Sequence, residues 1–195
     1  MTNSGGHDPA ALSRAEDSIL VLIDVQTRLS AVLDPACREP VIRNAGLLLE
    51  AAGMLGVPVI ATEQYPRGLG ATEARLEERL PDNTRRLEKT CFSCHRLPEI
   101  REALVASERR QIVIAGIEAN VCVLQTALEV LAAGHEVFIA ADAVCSRSLT
   151  NLQNALDRAS NDGAIITNSE SVLFEWLGDA SHQRFKAVSA LLRQQ

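Results

Sequence analysis

Three stretches of this 195-residue chain carry side chains able to do chemistry. The first is EKTCFSCH, residues 88–95. Its Cys91, Cys94 and His95 spell C-x-x-C-H, the pattern on which a c-type haem is attached, and Cys91 with Cys94 has the spacing of a thioredoxin-type redox pair. Haem attachment requires export, and the N-terminus has no basic region followed by an apolar run. Redox pairs of that type open a helix directly after a strand, whereas this one lies in a polar connection just before Pro98. The plain alternative is a pair of partly buried thiols, and Lys89 stands just ahead of both.

The second stretch is QIVIAGIEANVC, residues 111–122. Cys122 follows a strongly apolar segment through a tight Glu-Ala-Asn connection and falls in the first turn of the next helix. Unpaired N–H groups and the helix dipole there favour thiolate over thiol, and the same N–H groups suit an oxyanion. A buried small residue facing a sheet fits the position too. Cys145 is a rival nucleophile beyond another strand, but its helix begins several residues later. The third stretch is SILVLID, residues 18–24, where Asp24 ends an apolar run. A charge there must be paired or chemically active. As a proton acceptor Asp24 would serve a cysteine that has no well-placed histidine, and Lys89 would neutralise it. Read alone, Asp24 is equally a structural loop residue and Lys89 a solvated lysine.

Other chemistries are poorly supplied. The histidines at 7, 95, 135 and 182 form no i, i+4 pair, so no metal site is expected. RGLG, residues 67–70, is neither a P-loop nor a dinucleotide fingerprint. A net charge of −6, a pI near 5.3 and 3% aromatic residues disfavour nucleic acid as a partner. No run approaches the roughly 18 apolar residues of a membrane span. Five cysteines are an odd number without the density of a disulfide scaffold, which points to a reduced, cytoplasmic setting.

The elements that must position these residues alternate between short apolar runs and segments of helical period, the pattern of βαβ units in a parallel sheet. Strands are expected at 18–24, 57–63, 111–117, 136–142 and 164–168, with a sixth around 84–88. Helices are expected at 39–55, 72–80, 98–108, 120–133, 149–160 and from 169 onward. Residues 1–15 read as a flexible tail and 16–195 as one domain, a length suited to a single core. In such a sheet ligands bind at the carboxyl ends of strands, which is where Asp24, Lys89 and Cys122 fall.

LVLIDVQ (20–26), EKTCFSC (88–94) and IVIAGIEANVCVLQTALEVLAAGHEVFIAADAVCSRS (112–148) resemble, in order and spacing, the isochorismatase-like cysteine hydrolases. Together with TEQYPRGLGAT (62–72), the third stretch is most similar to the uncharacterised isochorismatase-domain branch. The resemblance implies an α/β fold: a three-layer, doubly wound, six-stranded parallel sheet of Rossmann type with helices on both faces. It implies a triad of Asp24, Lys89 and Cys122, a cis peptide between Ile117 and Glu118, and an oxyanion hole from the N–H groups of Glu118 and Cys122. Gln26, Tyr65 and Phe92 become candidate pocket residues. No cofactor is expected, the partner is a small-molecule substrate, and a homo-oligomer, dimer or larger, is common in the family. Nicotinamidases of the family place metal-ligating Asp and His after the second strand, where this chain has TEQY. Isochorismatases proper cleave a vinyl ether without needing the cysteine, so Cys122 favours C–N bond hydrolysis. A binding protein that keeps the fold without turnover, or a vinyl-ether hydrolase, is the alternative.

Overall fold

The computed structural model of the chain describes residues 12–193. Of the expected flexible tail, residues 1–11 lie outside the described residues. Residues 12–15 are docked: Ser13 is buried, its N–H donates to Glu175 Oε2 at 2.8 Å, and the Arg14 N–H donates to Gln111 Oε1 at 2.7 Å.

In chain order the elements are β1 (Ser18–Ile23), α1 (Thr27–Ser30), α2 (Pro35–Leu55), β2 (Val59–Gln64), α3 (Pro66–Leu69) and α4 (Ala74–Glu77). There follow β3 (Arg85–Lys89), α5 (Pro98–Ser107), β4 (Gln111–Ile117), α6 (Leu124–Ala132), β5 (Glu136–Cys145), α7 (Leu149–Asn161), β6 (Ile165–Thr167), α8 (Ser169–Leu177) and α9 (Phe185–Leu192). All six strands are parallel in the order β3-β2-β1-β4-β5-β6, so the sixth strand expected around 84–88 is present as β3.

β1 and β4 lie at the centre, and their residues are buried on both faces, as near-continuous apolar runs require. Their alternate side chains divide between two cores. Leu20, Leu22, Val113 and Ala115 pack under α2, α8 and α9, while Ile19, Val21, Ile112 and Ile114 pack under α5, α6 and α7. This is the three-layer, doubly wound architecture. Gly116 stands in register with Ile23 across the central pair: its φ is 142°, and a Cβ there would collide with the Ile23 carbonyl oxygen.

Several boundaries differ from expectation. α2 begins at Pro35, capped by Asp34, whose carboxylate accepts from the Ala36 N–H at 2.8 Å, and Pro40 is accommodated inside it. Only Ala74–Glu77 of the helix expected over 72–80 forms. The helix expected from residue 120 opens as a π-helical turn, Ala119–Val123, before α6. β5 runs to Cys145, rejoining β4 after a register shift between Ile114 and Gly116.

The expectation of a wholly reduced chain is also corrected. Cys37, at the start of α2, and Cys145, at the end of β5, form a disulfide with Cα atoms 6.1 Å apart, leaving Cys91, Cys94 and Cys122 free. No described helix is long and apolar enough to cross a membrane.

Candidate active site

Asp24 is the first residue past β1. It turns the chain with φ of 53°, a left-handed conformation that an aspartate tolerates better than a branched residue. Its N–H donates to the Thr62 carbonyl at 3.1 Å, which ties it to the neighbouring strand β2. Lys89 is the last residue of β3, and Cys122 lies in the π-helical turn after β4. The fold therefore carries all three to the carboxyl end of the sheet, where β1 and β4 diverge to opposite sides.

There they meet. The Lys89 ammonium donates to Asp24 Oδ2 at 2.6 Å and lies 3.6 Å from Cys122 Sγ. Both charged side chains have no exposed surface, and Cys122 is 5% exposed. The remaining ammonium contacts are Gln64 Oε1 at 2.8 Å and the carbonyls of Phe92 and Cys91 at 3.1 and 3.3 Å. A buried ammonium with this many acceptors is held as a cation at a fixed point.

Burial raises the Asp24 pKa above the usual carboxylate range, against the opposing pull of Lys89, Cys122 and Thr62. Burial pulls Lys89 down, but Asp24 and the neighbouring thiols outweigh it, and its pKa is raised. Burial, followed by the charge of Asp24, pushes the Cys122 thiol well above its ordinary value, with Lys89 working the other way. A helix start alone favours the anion, and here burial and the Asp24 charge oppose it. The thiol and a carboxylate of raised pKa thus lie side by side.

The turn carrying Cys122 is gripped from two sides. The Glu118 carbonyl accepts from the N–H groups of Val121 at 3.1 Å and Val123 at 3.3 Å, which bracket Cys122. From beyond β5, Ser146 Oγ donates to Asn120 Oδ1 at 2.7 Å, and Arg147 Nε lies 3.0 Å from Glu118 Oε2. The Ile117–Glu118 peptide is cis.

The suggested pocket residues separate. Tyr65 is 55% exposed and lines a cleft of about 450 Å³ beside β3, shared with Arg67, Lys89 and Cys91. Phe92 is 51% exposed and offers the site its backbone carbonyl. Gln26 does not face an opening: it is fully buried, its amide donating to the carbonyls of Gln64 at 3.1 Å and Gly70 at 2.6 Å and accepting the Gln64 N–H at 2.7 Å. It braces the 65–73 loop. Cys145, the rival nucleophile, is consumed in the disulfide. A cleft of about 620 Å³ near Arg14, Leu55, Arg109 and Trp176 lies by the opposite ends of the strands, away from the thiol. Among the described residues no group of three or more His, Cys, Asp and Glu side chains converges as a metal site would require.

Four contributors escape a reading of the sequence: Thr62, Gln64, Cys94 and Thr126. Thr62 Oγ1 donates to Asp24 Oδ1 at 2.8 Å. Thr126 Oγ1 donates to the Cys122 carbonyl at 2.7 Å and accepts from the Cys94 N–H at 2.9 Å. The available signal was strand period: Thr62 and Gln64 are i and i+2 at the end of β2, so both point to the side that Asp24 and Lys89 occupy.

The Isochorismatase domain pattern matches residues 18–171. This chain belongs to the isochorismatase family. A protein called isochorismatase domain-containing protein 2 from Xenopus laevis is 40% identical over 180 residues, covering 91% of this chain and 84% of its own length. Among solved structures, one described as the MAR1 ribonuclease of Caenorhabditis elegans superimposes with a TM-score of 0.89 at 36% identity, covering 94% of this chain and 93% of that one. The Escherichia coli YcaC gene product, described as an octameric hydrolase of unknown specificity, shares the fold with a TM-score of 0.85 at 23% identity, covering 94% of this chain and 90% of its own. The chain thus carries the isochorismatase-family hydrolase fold.

Proposed function

We propose that this protein is a cysteine-dependent hydrolase that cleaves a C–N bond of amide type in a small molecule through a thioester intermediate. The observation that carries the reading is the Lys89 ammonium, 2.6 Å from Asp24 and 3.6 Å from the Cys122 sulfur, in a pocket where a lone charge would be untenable. Asp24 takes the Cys122 proton as the sulfur attacks the carbonyl carbon. The N–H groups of Glu118 and Cys122 receive the oxyanion, each donor contributing about 3 kcal/mol. As the C–N bond breaks, the proton on Asp24 passes to the departing nitrogen. Water then gives a proton to Asp24 and adds to the thioester; as the C–S bond breaks, that proton returns to the sulfur, releasing the carboxylic acid and restoring the thiol. Lys89 keeps its charge throughout, offsetting the negative charge that moves between carboxylate and sulfur.

The same reading makes residues 16–195 one catalytic unit, a homo-oligomer of two or more copies as YcaC is described to be, and a cytoplasmic protein. The Cys37–Cys145 bond runs against the last point, and a free-thiol count on protein alkylated at the moment of lysis decides it. The ribonuclease description of the Caenorhabditis elegans relative raises RNA cleavage as a second reading, which the net charge of −6 disfavours. Vinyl-ether hydrolysis, or binding without turnover, completes the set.

The test is a turnover screen across small amides, ureido acids, nicotinamide, isochorismate and a labelled RNA, with Cys122→Ala alongside. Amide or ureido turnover that disappears in the variant is expected. Turnover that persists without the sulfur, or activity confined to RNA, overturns the proposal.

A further inference from the structure

Cys94 is the half of the C-x-x-C motif that the proposed reaction leaves without a role. It sits fully buried in the 3-10 turn Cys94–Arg96, its sulfur 3.6 Å from Thr62 Oγ1. That hydroxyl has one proton, and the geometry spends it on Asp24 Oδ1 at 2.8 Å. The contact between Cys94 and Thr62 must then run from S–H to oxygen. A second tie leaves the same residue through its backbone, from the Cys94 N–H to Thr126 Oγ1 at 2.9 Å and on to the Cys122 carbonyl at 2.7 Å.

We infer that Cys94 and Thr62 form a positioning relay for the proton acceptor: the Cys94 thiol orients the Thr62 hydroxyl, which fixes one Asp24 oxygen while Lys89 fixes the other. The inference rests on the proposed role of Asp24 as base. The relay needs a protonated Cys94, and burial, followed by the charge of Asp24, pushes that thiol up to about 11. Both residues are positioning residues, since neither touches the reacting carbonyl. The titratable groups facing Asp24 are Lys89 from β3, Cys122 from the π-helical turn and Cys94 from the 3-10 turn.

The experiment uses iodoacetamide, with alkylation of Cys122 followed by peptide mass from pH 4 to 10, so no substrate is required. Thr62→Val keeps the shape and removes the donor to the carboxylate. This disfavours the charged acid, and the acidic limb of the alkylation profile is expected to move up by about one pH unit, the worth of one hydrogen bond to a charged group. Thr62→Ser restores the limb. Cys94→Ala moves it in the same direction by roughly half as much, and Cys94→Ser, which keeps a donor, restores it. A merely structural Cys94 would change the rate at every pH without moving the limb, and that result overturns its part in the relay. Asp24→Asn separates the two levels. If it leaves the wild-type limb in place, the limb is not that of Asp24 and the reading of the site fails. If it abolishes the limb while Thr62→Val leaves it unmoved, the relay alone fails.

Discussion

Gln64 and Lys89 stand opposite each other in register at the ends of β2 and β3, and the Gln64 Oε1 accepts from the Lys89 ammonium at 2.8 Å. The other end of the amide donates to the Thr90 carbonyl at 2.8 Å, so the side chain cannot turn without losing both bonds. Lys89 is thereby aimed at Asp24 and Cys122 from a fixed direction. Gln64→Leu is expected to slow alkylation of Cys122 about tenfold, the worth of one hydrogen bond to a buried charge, while thermal stability changes little beyond that bond. An unchanged rate would mean that the ammonium is held adequately by the backbone carbonyls of Cys91 and Phe92.

The buried pair itself should behave asymmetrically. Lys89→Met leaves Asp24 without its cation and should cost about 3–5 kcal/mol in urea unfolding, whereas replacing both partners, as in Asp24→Leu with Lys89→Met, should recover much of that loss. Both variants keep Cys122 but should lose its reactivity. A double variant no more stable than the single one would show that the pair is a net source of stability.

The raised pKa of Lys89 gives its contribution a defined pH window. The folded Lys89 holds its proton more tightly than an unfolded lysine, so its contribution is fully present below about pH 10.4 and is lost as pH climbs through the higher folded value. The urea midpoint of the wild type should therefore fall more steeply between pH 10 and 12 than that of Lys89→Met. Parallel curves would place the basic transition elsewhere.

The Cys37–Cys145 bond closes a separation of 108 residues, and in chain-entropy terms a loop of that length stabilises by up to about 4–5 kcal/mol. Unfolding in denaturant without reductant should expose three titratable thiols, Cys91, Cys94 and Cys122, and with reductant all five. The reduced protein should melt lower. Five reactive thiols in untreated, denatured protein would show the bond absent in solution.

Much of this molecule was legible in its sequence because apolar period and strand-end chemistry are local. SILVLI and QIVIAGI announce the central strands by composition, and Asp24, Lys89 and Cys122 each fall within a residue or a turn of a strand end. What escaped was what depends on register between distant segments. Thr62 reaches Asp24 across 38 residues, Cys94 reaches Thr126 across 32, and Cys37 reaches Cys145 across 108. Gln26, a pocket candidate by resemblance, lies only two residues past Asp24, yet that is enough to turn it onto the backbone of the 65–73 loop. The setting of the thiol is non-local for a related reason. A helix start favours the anion, but the loss of water and then the nearby Asp24 charge oppose it, and neither appears in the local pattern.

The strand order has a seam. β1, β2 and β3 fill one half of the sheet and β4, β5 and β6 the other, and among the described residues β1 against β4 is the only strand pairing that joins the halves. The acid and the amine belong to the first half and the sulfur to the second. Severed in the turn ahead of β4 and reduced at Cys37–Cys145, each piece would carry an inert portion of the centre, and reactivity at Cys122 would return only as the pieces found one another, which makes that single thiol a reporter of reassembly.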